Sequence, residues 1–587
     1  MQRTCHLYSR SETFARVRIL HDPGLIIMKI LALACSCLFL AGPLLAMRAQ
    51  TFDTKVNALF ARWNRNDSPG CGVGVSRNGV PALERGYGMA SLEHAVPITT
   101  TTVFNAGSIS KQFTAMSILL LAEQGKLWLD DQARRYVPEL PDYGRPLTIR
   151  HLLTHTGGLR DVFLLLGLAQ PHDIGEDPNA IVIDMLTRQR GLNFAPGTDF
   201  EYNNGGYTLL GEIVKRASGQ SLRAFAEANI FRPLGMADTQ FYDGRKTVVA
   251  NRATAYHADA DAVHVALNSD PGGLVGNTGV FTTVRDLLRW EQNLAEPRVG
   301  TAATVSAMQK PMVLTDGTPT TYGFGLELGR YRGLSTVGHS GSGPGVATYV
   351  VRYPDQQLTV AVLCNRDDAD VQGLASRVAD VYLPDTSSPP SSSDAAEPVR
   401  PVALSVEQLE ARAGLYRDAA TNAFVRLFVR DGRLMGNAHP GGDAEVFPLT
   451  PVSPTRFVLP TTPIEIEVAP ASGRVQEMRA TGLRARPFTL GKVTTPFAPS
   501  TADLTAIAGK YRSAELNVTY EITVKGSSLV IHAPGRSDIE IEPVFPNAFQ
   551  GSGVEIVEFS RGATGGVTGF TVYAWSARGL RFERVAG

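Results

Sequence analysis

Hydrophobic and polar positions along this chain follow two different periods, and the boundary between them is sharp. From residue 50 to 384 both periods occur. Cys71–Ser76 and Val80–Gly86 flank Asn78-Gly79, a hairpin signal, and Tyr349–Tyr353 and Leu358–Leu363 flank Pro354-Asp355, a second one. Between them the spacing becomes helical. The run from Ile109 to Gln124 is apolar on most faces, which predicts a central buried helix. Leu209, Leu210, Ile213 and Val214 form one stripe of another helix, ended by Gly219. Strands at both ends with helices between them predict one α/β sheet assembled from distant segments.

Residues 385–401 (Asp385-Thr386-Ser387-Ser388-Pro389-Pro390 onwards) are Ser/Pro-rich and almost free of large apolar residues, which is linker composition. Beyond them the helical period disappears. Phe424–Arg430, Asp431-Gly432 and Arg433–Met435 read as strand, turn, strand; Tyr520, Ile522 and Val524 alternate with polar residues before Gly526 turns the chain into Leu529–Ile531. Ala413-Gly414-Leu415-Tyr416-Arg417 recurs as Ala508-Gly509-Lys510-Tyr511-Arg512, each copy followed by similar strand-turn-strand text. Two copies are too few for a solenoid, so two small antiparallel barrels are expected, at 402–495 and 496–587.

The N-terminus does not read as part of the fold. Met28-Lys29, the apolar run Ile30–Leu45 and the small residues Ala46 and Ala49 have the order of a secretory signal, with Met28 a natural start. Residues 1–49 are therefore expected to be an N-terminal extension and signal peptide, and the protein to be exported, periplasmic or secreted. No other long apolar run is present, so no membrane span is expected beyond this region. With 43% apolar and 19% charged residues, the 587-residue chain has ample material for buried cores. Its 56 basic and 56 acidic residues give no field for nucleic acid. Without residues 1–49 the net charge is −4, and Cys71 and Cys364 are the only cysteines left.

The chemistry concentrates in three places. Asn105-Ala106-Gly107-Ser108-Ile109-Ser110-Lys111 enters the buried helix, which puts Ser108 and Lys111 one turn apart on one face. Ser108 would lie at the positive end of the helix dipole, and burial would depress the Lys111 pKa until the amine can accept a proton. Tyr202-Asn203-Asn204 follows Pro196-Gly197 on a loop before a helix. Gly338-His339-Ser340-Gly341-Ser342-Gly343-Pro344 lies between two expected strands.

In this order and spacing the three motifs resemble the serine β-lactamase and penicillin-recognising superfamily, in its class C-like branch of DD-carboxypeptidases, D-aminopeptidases and esterases. Thr148-Ile149-Arg150-His151-Leu152-Leu153-Thr154-His155-Thr156-Gly157-Gly158-Leu159 and Pro233-Leu234-Gly235-Met236 support the resemblance, which spans about residues 55–384 within a 50–384 domain. Two barrels after such a domain are similar to the three-domain D-aminopeptidases. The resemblance implies an α/β (α+β) β-lactamase-like domain, an antiparallel sheet flanked by helices, ahead of the two barrels. It further implies that Ser108 is the nucleophile of an acyl-enzyme and that Lys111 and Tyr202 share its proton. Tyr202 would be the deacylation base, if Lys111 lowers its pKa from the phenol value of about 10. Asn204 would orient Lys111 and a substrate amide. The backbone N–H groups of Ser108 and Ser342 would form the oxyanion hole, with Gly341 supporting the third motif. Typical β-lactamases carry Lys where His339 stands, so recognition of a substrate carboxylate is expected to be weaker and pH-dependent. In that fold the strands of Cys71 and Cys364 are antiparallel neighbours, and directly paired strands rarely give good bridging geometry, which argues against a disulfide.

The function the resemblance implies, together with the signal-like N-terminus, is an exported serine hydrolase acting on small amides or esters, plausible substrates being peptides with a D-residue. The rivals are a DD-carboxypeptidase or esterase and, from another class, a penicillin-recognising sensor or binding module without turnover. No metal or organic cofactor is implied, and the partner is a small molecule or short peptide. His151-x-x-x-His155 has metal spacing but lacks the Glu of a zinc protease, so the pair is read as packing and capping. His257, Asp259, Asp261 and His264 read as a polar turn between strands. Position 342 is Ser, so Gly338-x-Ser340 is not a nucleophile elbow.

Overall fold

Alternating and helical segments assemble into a sheet with helices packed on it, then two closed barrels. The computed structural model describes residues 52–170, 177–244, 246–258, 263–265, 273–383, 401–418, 424–437, 446–459, 464–468, 476–481, 486–494, 497–574 and 576–586. The signal-like segment 1–49, the linker at 385–401 apart from Pro401, and Asp259 and Asp261 lie outside the described residues.

The sheet comprises β1 (Cys71–Arg77), β2 (Val80–Tyr87), β3 (Glu327–Tyr331), β4 (Leu334–Gly343), β5 (Val346–Tyr353) and β6 (Leu358–Cys364). Its six strands run in the order β3-β4-β5-β6-β1-β2, with every neighbouring pair antiparallel. Both hairpins read from the sequence are present, and β6 closes the sheet against β1 from the far end of the domain. Five helices matter most here: α1 (Ser110–Glu123), α2 (Val162–Ala169), α3 (Asn204–Ser218), α4 (Val284–Ala295) and α5 (Val371–Tyr382). Helix α1 has twelve of its fourteen residues buried, as its all-round apolar pattern predicts. Helix α4 lays Val284 and Leu288 against β1 where Gly72 and Gly74 leave no side chain in the way.

Cys71 and Cys364 correct an expectation. They are register partners at the end of the β1–β6 pair, with Cα atoms 4.0 Å apart, and their sulfurs are bonded. Opposed residues of an antiparallel pair can approach closely when they do not exchange backbone hydrogen bonds, so direct pairing does not forbid the bridge. The link closes a separation of 293 residues, and cross-linking so long a loop removes much of the unfolded chain's freedom.

Each barrel closes with eight antiparallel strands, between Gly414 and Lys492 and between Gly509 and Val585. The repeated pentapeptide supplies the first strand of each. Its tyrosine turns inward and donates to the carbonyl four residues back, Tyr416 to Arg412 and Tyr511 to Ile507, which fixes the entry of the strand. Leu59 to Gly587 forms one compact unit. Within it the second barrel shares a continuous apolar core with the sheet-and-helix domain, whereas the first barrel keeps a core of its own.

Candidate active site

The Ser108 turn is held from several sides before any chemistry is considered. Gly107–Ile109 forms one 3-10 turn leading into α1. Asn105 Oδ1 accepts from Gly107 N at 2.9 Å, Ser110 Oγ donates to Gly107 O at 2.6 Å, and Thr348 Oγ1 of β5 donates to Ala106 O at 2.9 Å. Strand β4 passes so close that a Cβ on Gly107 would stand 3.0 Å from Ser342 N. One on Gly341 would stand 2.3 Å from Ala106 O and 3.1 Å from Ser108 N. Glycine at 341 is thus required by close approach, and the two backbone N–H groups, Ser108 and Ser342, border the same small space.

Lys111, the second residue of α1 and one turn beyond Ser108, is fully buried. Its Nζ donates to Ser108 Oγ at 2.9 Å, Asn204 Oδ1 at 3.0 Å and Asn277 O at 2.8 Å, three acceptors for the three protons of an ammonium. Burial pulls its pKa down to about 7, against the opposing pull of Asp161 and Glu327. When Lys111 loses a proton, one of the three contacts must reverse. The Asn277 carbonyl cannot donate, and neither can Asn204 Oδ1, so the lone pair turns to Ser108, whose hydroxyl can. The geometry itself directs the serine proton onto the neutral amine.

Asn204 is oriented by a residue that motif reading missed. Asp161 Oδ2 accepts from Asn204 N at 3.0 Å and from Nδ2 at 3.1 Å, so the amide oxygen is the atom turned to Lys111. One of the two amide protons is spent on Asp161. Asn203, one residue earlier, caps α3 by accepting from Gly206 N at 2.8 Å. Tyr202 lies beside the lysine, with Lys111 Nζ 4.8 Å from its ring centre. Burial nevertheless raises its pKa well above the ordinary value; the Ser108 hydroxyl works in the opposite sense but does not close a normal hydrogen bond with the phenol. The expected lowering by Lys111 therefore does not occur: desolvation dominates, and the charges that reach the phenol, from Glu327, Tyr207 and Asp161, raise it further. Tyr202 is a neutral phenol at rest.

His339 departs furthest from expectation. It is fully buried, its Nε2 faces Tyr322 Oη at 2.7 Å and its Nδ1 faces Ser340 O at 2.6 Å. Burial lowers its pKa; Glu327 and the Ser340 carbonyl pull it up, and Lys111 pushes it further down. It is a neutral imidazole tied to the protein, not an exposed partial cation for a substrate carboxylate. His155 packs against Tyr202 and Tyr322 with ring centres 4.3 and 4.6 Å away, while its Nδ1 accepts from Asn203 N at 3.0 Å. His151 Nδ1 accepts from Thr148 N in a capping box, so the His151/His155 pair is structural, as its pattern indicated. His257 lies in a short hairpin and pairs with Asp367 at 2.8 Å.

The structure thus brings Ser108, Lys111, Tyr202, Asn204, His339 and Ser342 to one place and adds Asp161, Asn277, Tyr322 and Glu327. Asp161 stands two residues beyond the Thr148–Leu159 motif, and Tyr322 opens Tyr322-Gly323-Phe324-Gly325, a glycine-spaced stretch that signals a tight backbone approach.

The Beta-lactamase family model matches residues 52–383. Penicillin-binding protein 4* of Bacillus subtilis is 33% identical over 298 residues, 48% of this chain and 65% of that protein, so the chain spans just under two thirds of that relative. A D-aminopeptidase of Gluconobacter oxydans is 27% identical over 564 residues, 91% of this chain and 98% of the relative. The octameric penicillin-binding protein homologue from Pyrococcus abyssi, a solved structure, has a TM-score of 0.51 at 21% identity, covering 84% of this chain and 99% of its own; that likeness is one of fold.

Proposed function

This chain belongs to the Beta-lactamase family and is a serine hydrolase of the β-lactamase superfamily, and from that premise we propose that it is an exported D-aminopeptidase-like enzyme. It would release a D-residue from small peptides, amides or esters through an acyl-enzyme. The observation that carries this reading is the similarity to a D-aminopeptidase through both barrels. His339, buried, neutral and bonded on both ring nitrogens, offers no fixed positive charge of the kind typical β-lactamases set against a substrate carboxylate, which weighs against β-lactam hydrolysis but does not choose between aminopeptidase and carboxypeptidase. The Cys71–Cys364 bridge favours an oxidising compartment, in keeping with the signal-like N-terminus.

In this mechanism neutral Lys111 takes the Ser108 proton as Oγ attacks the substrate carbonyl. The carbonyl π electrons move to oxygen, and the oxyanion rests between the N–H groups of Ser108 and Ser342. Collapse expels the amine, which leaves with the proton held by Lys111, passed directly or through the Tyr202 hydroxyl. Water then attacks the ester and gives its proton to Lys111; collapse breaks the bond to Ser108 Oγ, which takes that proton back from Lys111 as the acid leaves. Asp161 and Asn204 keep the lysine aimed throughout.

The test is a substrate panel on residues 50–587: D-alanyl p-nitroanilide, its L-isomer, and an N-acyl-D-Ala-D-Ala peptide. The D-alanyl anilide is expected to exceed the others in kcat/KM by about tenfold or more, equivalent to roughly 1.4 kcal/mol in the barrier. Faster release of D-Ala from the acylated peptide would assign a carboxypeptidase, and a persistent adduct without turnover, seen by intact mass, would assign a sensor.

A further inference from the structure

Strand β3 ends just where the reactive stretch of β4 begins. The pairing runs from Tyr331↔Leu334 to Glu327↔Gly338 and stops there, so His339–Gly343 has β5 on one side and, among the described residues, no strand on the other. Glu327 therefore stands at the corner where the open edge starts. Its Oε1 accepts from Ser340 Oγ at 2.9 Å and lies 3.6 Å from His339 Nδ1. Oε2 has no hydrogen-bond partner among the described residues. The side chain is 38% exposed, while His339 beside it is fully buried. Among the described residues the carboxylate also has no cationic partner: the one ion-pairing candidate within reach there is His339, which burial keeps neutral. Its charge reaches Lys111, Tyr202, Tyr322 and His339, so it lies within the electrostatic range of the whole reactive cluster.

We propose that Glu327 is a specificity-determining residue that sets the charge selectivity of this cleft, disfavouring substrates with a carboxylate beside the scissile bond and favouring neutral or cationic ones. The inference rests on the hydrolase reading above and deepens it. A neutral histidine only withholds attraction from an anion, whereas a partly desolvated carboxylate at the same edge adds repulsion, and specificity built by repulsion is as effective as added contacts. Glu327 touches neither Ser108 nor Lys111, so it is no part of the proton path.

The test compares Glu327→Gln with the native enzyme on substrates sharing one acyl group but differing in leaving-group charge: D-alaninamide, which is neutral there, and D-Ala-D-Ala, which carries a carboxylate. Gln retains an oxygen for the Ser340 hydroxyl, so the strand corner keeps its hydrogen bond. The native enzyme should prefer the amide, and Glu327→Gln should raise kcat/KM on D-Ala-D-Ala by about tenfold, the size of one unit-charge repulsion across several ångströms of partly screened protein. Hydrolysis of p-nitrophenyl acetate, which bears no charge, reads whatever Glu327 exerts through Lys111 and is the rate to which both D-alanyl rates are scaled. An unchanged amide-to-dipeptide ratio, or an equal change on all three substrates, would overturn the proposal. If neither D-alanyl compound is hydrolysed, the D-aminopeptidase reading fails by itself. Acylation by benzylpenicillin against its methyl ester then reads the same charge selectivity, with Glu327→Gln expected to accelerate only the anion and an equal response overturning the proposal.

Discussion

Lys111→Ala is expected to lower acylation about a thousandfold, within the range contributed by a positioned general base. Lys111→Arg should fail nearly as badly although it keeps a cation in place, because a guanidinium does not release its proton in this pH range. The account requires a neutral amine, and that gives the pH dependence its sign. Burial brings the Lys111 pKa down to about 7, so the reactive fraction is small at pH 5, half at about 7 and nearly complete by about 9. Acylation measured by stopped-flow on an activated ester should therefore climb with pH through a midpoint near 7 and then level. A rate that falls as pH rises through that window would mean that the ammonium form is the active one.

The second large effect lies at the junction of the catalytic domain and the second barrel. Arg160 is 3% exposed and pairs with Glu515 at 2.7 Å. The same guanidinium donates to Arg578 O, Gln189 Oε1 and Gly579 O at 2.8, 2.9 and 3.0 Å. Arg160→Ala leaves the Glu515 carboxylate buried without its counter-charge, a change that costs about 3–5 kcal/mol in comparable pairs. The midpoint of thermal unfolding should drop by roughly 10 °C. Joint replacement by Met at 160 and Leu at 515 should recover much of the loss, since the interaction is removed on both sides. Catalysis should suffer as well. Asp161, next in sequence, donates its N–H to Ser576 O of the barrel at 2.8 Å and holds the Asn204 amide that faces Lys111. Calorimetry and turnover on the same variants separate the two effects. Full stability and activity in Arg160→Ala would show that the barrel is merely tethered.

The parts of the site that sequence discloses are those whose chemistry depends on local spacing. Ser108 and Lys111 are one helical turn apart, Asn203 and Asn204 begin a helix whose apolar stripe is visible, and His339 to Ser342 sit between strands that turn residues mark. The barrels were legible for a similar reason, because the repeated tyrosine makes its hydrogen bond within four residues. What escaped depends on contacts distant in sequence. Asp161 meets Asn204 43 residues away and Asn277 meets Lys111 across 166. No periodicity encodes either meeting. The state of His339 was misjudged because exposure, which decides whether an imidazole can hold charge, is set by Tyr322 and neighbouring elements closing over it. For Tyr202 the nearby cation is readable in the motif spacing, whereas the desolvation and the acidic neighbours Glu327 and Asp161 that raise its pKa are not. The Cys71–Cys364 bridge followed from the exact register of β1 on β6, which strand patterns do not specify.

The central claim is that Ser108 is an activated nucleophile, and fluorophosphonate labelling of residues 50–587 with peptide mass spectrometry tests it most directly. The account predicts a single label on Ser108, formed faster as pH rises through about 7, and none on Ser108→Ala, which should also lose amide and ester turnover. A label on another serine, or turnover that persists in Ser108→Ala, would contradict it.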